Sequence, residues 1–348
     1  MLFRQLFDAA SCTYTYLLAG DTGGEALLID PVADRVDGYL QLLDELGLRL
    51  VKAIDTHVHA DHVTALGRLR DRTRCITVMG RRSQVDVVSM RVDEGDHVDI
   101  DGVQLSVLYT PGHTDDSYSF VMADRVFTGD TLLIRGTGRT DFQNGNAVAA
   151  YHSLFGKLLT LPDTTLVYPG HDYNGNTVST IGEERAHNPR LQVSSDEEYA
   201  RLMGDLHLPD PKMMDVAVPA NLHIGLPQNP PDQAEFTIDA AAAIALLGTP
   251  GIVFVDLRET EERQRDGTIP SAIHLPYPRL AEALQPGSPF RALASGAADE
   301  LVFYCAFGER SALALQAARE VGIEHARHIA GGLEAWLKAD GPCQRSSD

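Results

Sequence analysis

The sequence is poor in cysteine, and its four thiols, Cys12, Cys75, Cys305 and Cys343, show neither paired spacing nor a C-x-x-C. A disulfide-stapled fold is thereby excluded, and in a chain of this size the pattern reads as reduced thiols in a cytoplasmic protein. No run approaches the roughly 18 consecutive apolar residues that a membrane-spanning helix needs. The opening M-L-F-R-Q-L-F-D-A-A lacks the uninterrupted apolar segment of a secretory signal. Positive charge is scarce too: 29 lysines and arginines stand against 49 aspartates and glutamates, a formal net charge of −20. That balance argues against nucleic acid and against anionic membranes as partners. It also means that an anionic substrate needs a local group of arginines to oppose the overall field. Internal repeats and low-complexity segments are missing, apart from a short polar tail at residues 345–348.

What is present fits two globular domains. A chain of 348 residues exceeds most single cores, and 44% hydrophobic with 22% charged residues is an ordinary globular composition. Apolar runs at residues 12–18 and 26–31, around the turn Asp21-Thr22-Gly23-Gly24, predict a β-hairpin. Tyr39, Leu40, Leu42, Leu43 and Leu46 recur at helical spacing, and Gly47 ends that helix. A buried strand at 50–54 leads to a helical pattern at 63–69. Short strands at 96–100, 103–109, 118–122, 125–128 and 165–168, with helices at 147–159 and 196–205, predict a β-rich core flanked by helices. Residues 208–232 are proline-rich and read as an irregular arm. Beyond Phe236 a helix at 240–247, strands at 251–257 and 300–305, a loop at 306–310 and a helix at 311–322 make a second α/β unit. The expected division is 1–235 and 236–348.

Two constellations carry chemistry. The first is Thr56-His57-Val58-His59-Ala60-Asp61-His62, directly after the strand at 50–54. Alternate side chains of an extended segment share a face, so His57 and His59 point the same way. Neutral imidazoles with a carboxylate suit a divalent transition metal. His113, Asp130 and His171 each end a later apolar run, and each follows a glycine that lets backbone approach closely. The second is Cys305, at the end of a buried strand and opening a tight loop into a helix. Loop N–H groups and the helix N-terminus favour a thiolate there, and Arg310 adds a cation.

The spacing H-x-H-x-D-H with a later His, Asp and His resembles the metallo-β-lactamase superfamily, whose αββα sandwich fits the element order. Members such as glyoxalase II use all seven groups to hold two metals for hydrolysis. The flanks, L-L-I-R-G-T-G-R-T-D-F-Q from Leu132 and H-D-Y-N-G-N-T-V-S-T from His171, with E-E-R from Glu183 and N-P-R-L from Asn188, resemble the persulfide dioxygenases. That resemblance implies one Fe(2+) per chain on His57, His113 and Asp130, a two-histidine, one-carboxylate set that leaves positions open. His59, Asp61, His62 and His171 would then orient ligands or waters by hydrogen bonds. It further implies oxidation of glutathione persulfide by O2 to sulfite and glutathione. Arg139 is the first candidate for holding the anionic substrate, with Arg135 and Tyr173 behind it.

C-A-F-G-E-R-S from Cys305, D-L-R-E from Asp256, G-T-I-P-S-A-I-H-L-P from Gly267 and G-G-L-E-A-W from Gly331 resemble the rhodanese sulfurtransferases. Thr268 and Ser271 stand where that family often has histidine and glycine. The resemblance implies that Cys305 carries a sulfane sulfur as a persulfide, while Asp256 and Arg258 fix the fold. Fusion of the two units suggests a shared intermediate, made by sulfur transfer between thiosulfate and glutathione, in a direction that the sequence leaves open. The alternative is a dinuclear zinc thioester hydrolase of the glyoxalase II type, with the rhodanese as sulfur carrier or binding module. A homo-oligomer is equally left open.

Overall fold

A computed structural model describes residues 1–206, 213–225, 234–296, 298 and 300–345. The chain divides into two compact units, Met1–Asp86 with Arg91–Ile224, and Gly225–Asp348 with the short segment Val87–Met90. Among the described residues no helix is long and apolar enough to cross a membrane.

The first unit is built on two six-stranded sheets. One runs in chain order: Leu2–Asp8, Thr13–Ala19, Glu25–Ile29, Arg49–Ile54, Ile76–Gly80 and Met90–Val92. Tight turns make the first two pairings antiparallel, whereas the helices Val36–Glu45 and Leu66–Thr73 carry the chain back for the parallel pairings that follow. Every residue of Thr13–Ala19 and of Ile76–Gly80, a strand the sequence reading did not name, is buried. The other sheet has the order Ser179–Thr180, Leu166–Pro169, Arg125–Gly129, Tyr118–Val121, Val103–Tyr109, His97–Ile100. Aromatic rings join the two sheets face to face: Phe3 meets Tyr168, and Tyr16 meets Phe127, each at 4.9 Å between centroids.

Helices cover both outer faces. Val36–Glu45 buries Val36, Tyr39 and Leu43, a single stripe at helical spacing. On the other side Ala147–Gly156 and Asp196–Gly204 bring Leu154, Tyr199 and Met203 into one cluster with Val126 and Val167. The αββα sandwich expected from the sequence is the fold observed.

Three local features depart from the sequence reading. Leu2–Asp8 is a strand that the pattern did not announce, because it is a half-exposed edge defined by its seven-residue pairing with Thr13–Ala19. The helix expected at 147–159 ends at Gly156 and gives way to a 3-10 turn, Leu158–Thr160. Within the proline-rich arm, Met214–Leu222 is a helix even though Pro219 lies inside it. It buries only Ala217 and Asn221, so no apolar stripe advertised it. Residues 207–212 and 226–233 of that arm, and 346–348 of the polar tail, lie outside the described residues.

The second unit holds a five-stranded parallel sheet in the order Thr237–Ile238, Ala326–Ile329, Glu300–Tyr304, Ile252–Asp256, Ile273–His274. Its core gathers Ile238, Phe254, Val302, Tyr304, Ile329, Leu333 and Trp336. Arg258 clamps Asp256 with Nε at 2.9 Å and Nη2 at 2.6 Å, both residues fully buried. Thr268 completes that network, its hydroxyl 3.0 Å from Asp256 and 2.8 Å from the Tyr304 hydroxyl. The central strand Glu300–Tyr304 therefore delivers Cys305 to the carboxyl end of the sheet, where parallel α/β folds place their ligands.

Candidate metal centre and sulfur site

Asp30 and Asp55 end neighbouring parallel strands, and the histidine loop is anchored between them. Thr56 donates its N–H to Asp30 Oδ1 at 2.7 Å and its hydroxyl to Oδ2 at 3.0 Å. Because that hydroxyl proton is committed, His57 Nδ1, 2.9 Å from Thr56 Oγ1, must be the donor, and Nε2 keeps the lone pair. His113 is fixed the same way: its Nδ1 lies 2.8 Å from the carbonyl oxygen of Arg139, which can only accept. Its Nε2 then faces Asp130 Oδ2 at 3.7 Å. Donor atoms of His57, His113 and Asp130 all lie within 4.8 Å of one another.

The preceding glycines are steric necessities. Gly112 has φ +143°, and a Cβ there would meet Ala150 Cα at 2.3 Å; Gly129 has φ +49°, and its Cβ would meet Thr56 Oγ1 at 2.5 Å.

Electrostatics agree with metal binding. Burial holds the His57 imidazole well below its ordinary pKa, in the neutral form that ligates. Burial pushes Asp130 upward, but the charge and hydrogen bond of His171 outweigh it, so the carboxyl stays well below the usual range. The neutral His57 imidazole, the Nε2 of His113 and the ionised Asp130 carboxylate, converging and largely withdrawn from water, fit a divalent transition ion.

The structure brings the other four predicted groups to the same place. His59 Nε2 is 3.2 Å from Asp30 Oδ1. His171 bridges two carboxylates, with Nδ1 2.7 Å from Asp130 Oδ1 and Nε2 2.7 Å from Asp61 Oδ2. His62 Nδ1 lies 3.1 Å from the same Asp61 oxygen. His59, Asp61 and His62 form a second group with mutually close donor atoms, and Asp30, Asp55 and His59 a third. His59 Nδ1, His62 Nε2 and Asp55 Oδ1 are buried with no hydrogen-bond partner.

Sequence reasoning missed several supporting residues. Asn221 accepts from Thr64 N and donates to the carbonyls of His59 and His62, each at 2.9 Å, tying down the whole loop. Gln143 donates to the carbonyl of Val58 at 2.8 Å. Asp30 stood in plain view at a strand end; Asn221 gave no signal, since it lies far along the chain in the proline-rich arm.

The substrate candidates are placed differently from one another. Tyr173 stacks on His171 with rings 6.1 Å apart and 10° from parallel, and it is 69% exposed. Arg139 pairs with Asp141 through Nε at 2.7 Å and Nη2 at 2.9 Å, and lies 3.8 Å over the Phe142 ring. Arg135 directs its guanidinium to Glu183 and Glu184.

At the sulfur site Cys305 is fully buried. Gly308 donates its N–H to the sulfur at 3.1 Å, and the Ser311 hydroxyl lies 3.8 Å away. The first turn of the helix Gly332–Lys338 pins the loop, with Leu333 N on the Cys305 carbonyl at 2.7 Å and Glu334 N on that of Ala306 at 3.0 Å. Gly332 permits this approach, since a Cβ there would sit 2.4 Å from the Cys305 oxygen. Arg310 donates to Glu262 with two nitrogens at 2.7 and 2.6 Å, so its charge is already balanced by a buried partner.

Residues 13–85 and 80–171 match the metallo-beta-lactamase superfamily, and residues 239–339 match the rhodanese-like domain. The mouse persulfide dioxygenase ETHE1 is 48% identical over 234 residues, spanning 66% of this chain and 91% of that protein. Its human counterpart is 48% identical over 229 residues, covering 65% and 89% respectively. The crystal structure of ETHE1 from Myxococcus xanthus has 55% identity and a TM-score of 0.62, covering 64% of this chain and 98% of its own. A metallo-beta-lactamase structure from Staphylococcus aureus shares the fold at 21% identity and TM-score 0.60, over 94% of this chain and 98% of its own.

Proposed function

This chain belongs to the persulfide dioxygenase family and carries a rhodanese domain after the dioxygenase unit, and from that premise we propose that it generates and oxidises glutathione persulfide. The observation that carries the reading is the convergence of His57, His113 and Asp130, with both imidazoles turned by their Nδ1 partners so that Nε2 is free. We assign residues 1–235 to the dioxygenase and 236–348 to the sulfurtransferase.

The three residues would hold one Fe(2+). Ferrous iron supplies open coordination positions and the electron chemistry through which dioxygen and a sulfur anion react. The protein's part is placement. Thr56 and the Arg139 carbonyl lock the two ligand tautomers, and Asp61 orients His171, which in turn holds the second oxygen side of Asp130. Arg139, near the ligand His113, is the first candidate for holding the glutathione moiety, with Tyr173, exposed on the face of His171, and Arg135, paired with Glu183 and Glu184, as further candidates. The net reaction is glutathione persulfide plus O2 and water to glutathione, sulfite and two protons.

In the second unit the Cys305 thiolate attacks the outer sulfur of thiosulfate, the S–S bond breaks, and sulfite leaves. Glutathione thiolate then takes that sulfur from the Cys305 persulfide, restoring the thiolate and releasing glutathione persulfide. The Gly308 N–H, 3.1 Å from the sulfur, is in place to stabilise the anion at both stages. The reverse flow, from persulfide and sulfite to thiosulfate, uses the same groups. Four free thiols support a reducing compartment such as the cytoplasm. The net charge of −20 supports small anions met at local arginines, and not nucleic acid, as partners.

Metal analysis with oxygen uptake tests the reading. About one iron per chain, and sulfite formed from glutathione persulfide in step with oxygen consumed, is the expected result. The glyoxalase II alternative is disfavoured by the family relationship. Two zincs per chain with thioester hydrolysis would restore it.

A further inference from the structure

If His57, His113 and Asp130 hold the single metal, His59, Asp61, His62 and His171 remain beside it as further residues of ligating type. Two of them, Asp61 and His171, touch each other at 2.7 Å, and His62 joins the same Asp61 oxygen at 3.1 Å. Their donor types are those a second divalent ion would choose. Something in this chain must decide against that ion.

We propose that Thr13 closes the second metal position and so keeps the centre to one ion, an inference that rests on the one-metal reading above. Thr13 is fully buried at the start of the strand Thr13–Ala19. Its hydroxyl oxygen lies 3.0 Å from His171 Nε2, 3.2 Å from Asp61 Oδ2 and 3.3 Å from His62 Nδ1, with Ser11 Oγ at 2.8 Å. One atom thus contacts Asp61, His62 and His171 together, and two of these, Asp61 and His62, belong to the second group of mutually close ligating atoms. A hydroxyl has one proton and two lone pairs, so its contacts form a shared network over Asp61 Oδ2, His62 Nδ1 and His171 Nε2. A metal bonds nitrogen and oxygen at roughly 2.0–2.2 Å. An ion on the Thr13 side of those three atoms would crowd Oγ1, which already stands within hydrogen-bonding reach of each.

Thr13 has little freedom to withdraw. The residues on either side of it are tied to the loop that carries His171: Tyr14 N bonds the Gly170 carbonyl at 2.8 Å, and Asp172 N bonds the Cys12 carbonyl at 3.3 Å. Cys12 holds φ +60° to bring Thr13 into place. A β-branched side chain adds a stiff χ1. His59 completes an alternative group with Asp61 and His62; its Nε2 is directed to Asp30 and its Nδ1 has no hydrogen-bond partner, but that group depends on Asp61, whose Oδ2 Thr13 engages. Nothing in the sequence pattern singled out Thr13, because it lies far upstream of every ligand it touches.

The full-length chain, stripped by chelator and titrated anaerobically with Fe(II) and in parallel with Co(II), tests this by metal analysis, calorimetry and electron paramagnetic resonance. Wild type and Thr13→Ser are expected to bind one ion per chain, with an isolated-ion spectrum. Thr13→Ala is expected to bind two, with the magnetic coupling of neighbouring ions. Thr13→Gly is carried alongside as a second truncation, and circular dichroism establishes that each variant is folded. If a folded truncation still binds one ion, Thr13 does not close the position and the proposal fails while the one-metal reading stands. If wild type itself binds two coupled ions, the one-metal reading fails first and takes the proposal with it.

Discussion

The Nδ1 of His113 lies 2.8 Å from the carbonyl oxygen of Arg139, while the guanidinium of that same arginine is held on Asp141. The main chain of residue 139 thus sets the tautomer of a metal ligand, and its side chain presents a cation already part-neutralised. These two roles separate cleanly under mutation. Arg139→Ala is expected to leave metal content unchanged and to raise KM for glutathione persulfide about tenfold, roughly 1.4 kcal/mol. Asp141→Asn should act in the opposite direction by freeing the cation. Steady-state oxygen uptake with parallel metal analysis checks both, and loss of metal in Arg139→Ala would contradict the division of labour.

Asn221 binds the histidine loop through three hydrogen bonds of 2.9 Å from a helix that shares no sequence neighbourhood with it. Asn221→Ala leaves one buried N–H and two buried carbonyls without their partner, at a cost of about 1–3 kcal/mol. Unfolding of the dioxygenase unit should shift by that amount. Metal affinity should fall by about 10- to 100-fold, the usual effect of losing a group that orients ligands. An unchanged affinity would mean that the loop holds its shape without the helix.

Cys305→Ser removes the thiolate nucleophile, since a serine hydroxyl is barely ionised near neutral pH. Sulfur transfer from thiosulfate to glutathione should drop to background, whereas oxygen uptake on supplied persulfide should persist. Oxygen uptake driven by thiosulfate and glutathione should then vanish. Persistence of that last activity would rule out the relay through Cys305.

His328 is fully buried between the Ser311 hydroxyl at 3.3 Å and the Thr237 hydroxyl at 3.0 Å. Burial pushes its pKa down to about 4. An unfolded histidine titrates near 6.5, so between about 6.5 and 4 the unfolded chain binds a proton that the folded unit refuses. Stability of the rhodanese unit should therefore be full above pH 6.5 and decline as pH falls toward 4, by up to roughly 3 kcal/mol. Denaturant melts across that range should show the slope, and His328→Asn should flatten it. Equal slopes in the two proteins would remove His328 as its source.

Much of the architecture was legible because it is written locally. The stripe at Val36, Tyr39 and Leu43, the buried run at Thr13–Ala19 and the turn between hairpin strands need only neighbouring residues to declare themselves. Leu2–Asp8 and Met214–Leu222 were not legible for the opposite reason. The first is an edge strand created by its partner, and the second buries a polar amide whose hydrogen bonds lie more than 150 residues away in sequence.

The sequence by itself determined the chemical inventory: seven ligating groups at the ends of apolar runs, and one cysteine opening a helix. Tertiary structure alone decided what each group is free to do. A histidine's available nitrogen depends on what occupies the other one, and those partners are Thr56, the Arg139 carbonyl, Asp30 and the carboxylates of Asp130 and Asp61, which lie in two separate loops. The arginines follow the same logic. With 49 acidic residues against 29 basic ones, Arg139, Arg135 and Arg310 each meet a carboxylate in the folded chain, namely Asp141, Glu183 with Glu184, and Glu262. Sequence can count charges, but only folding fixes the distances over which they act, and Coulomb and hydrogen-bond energies depend on those distances.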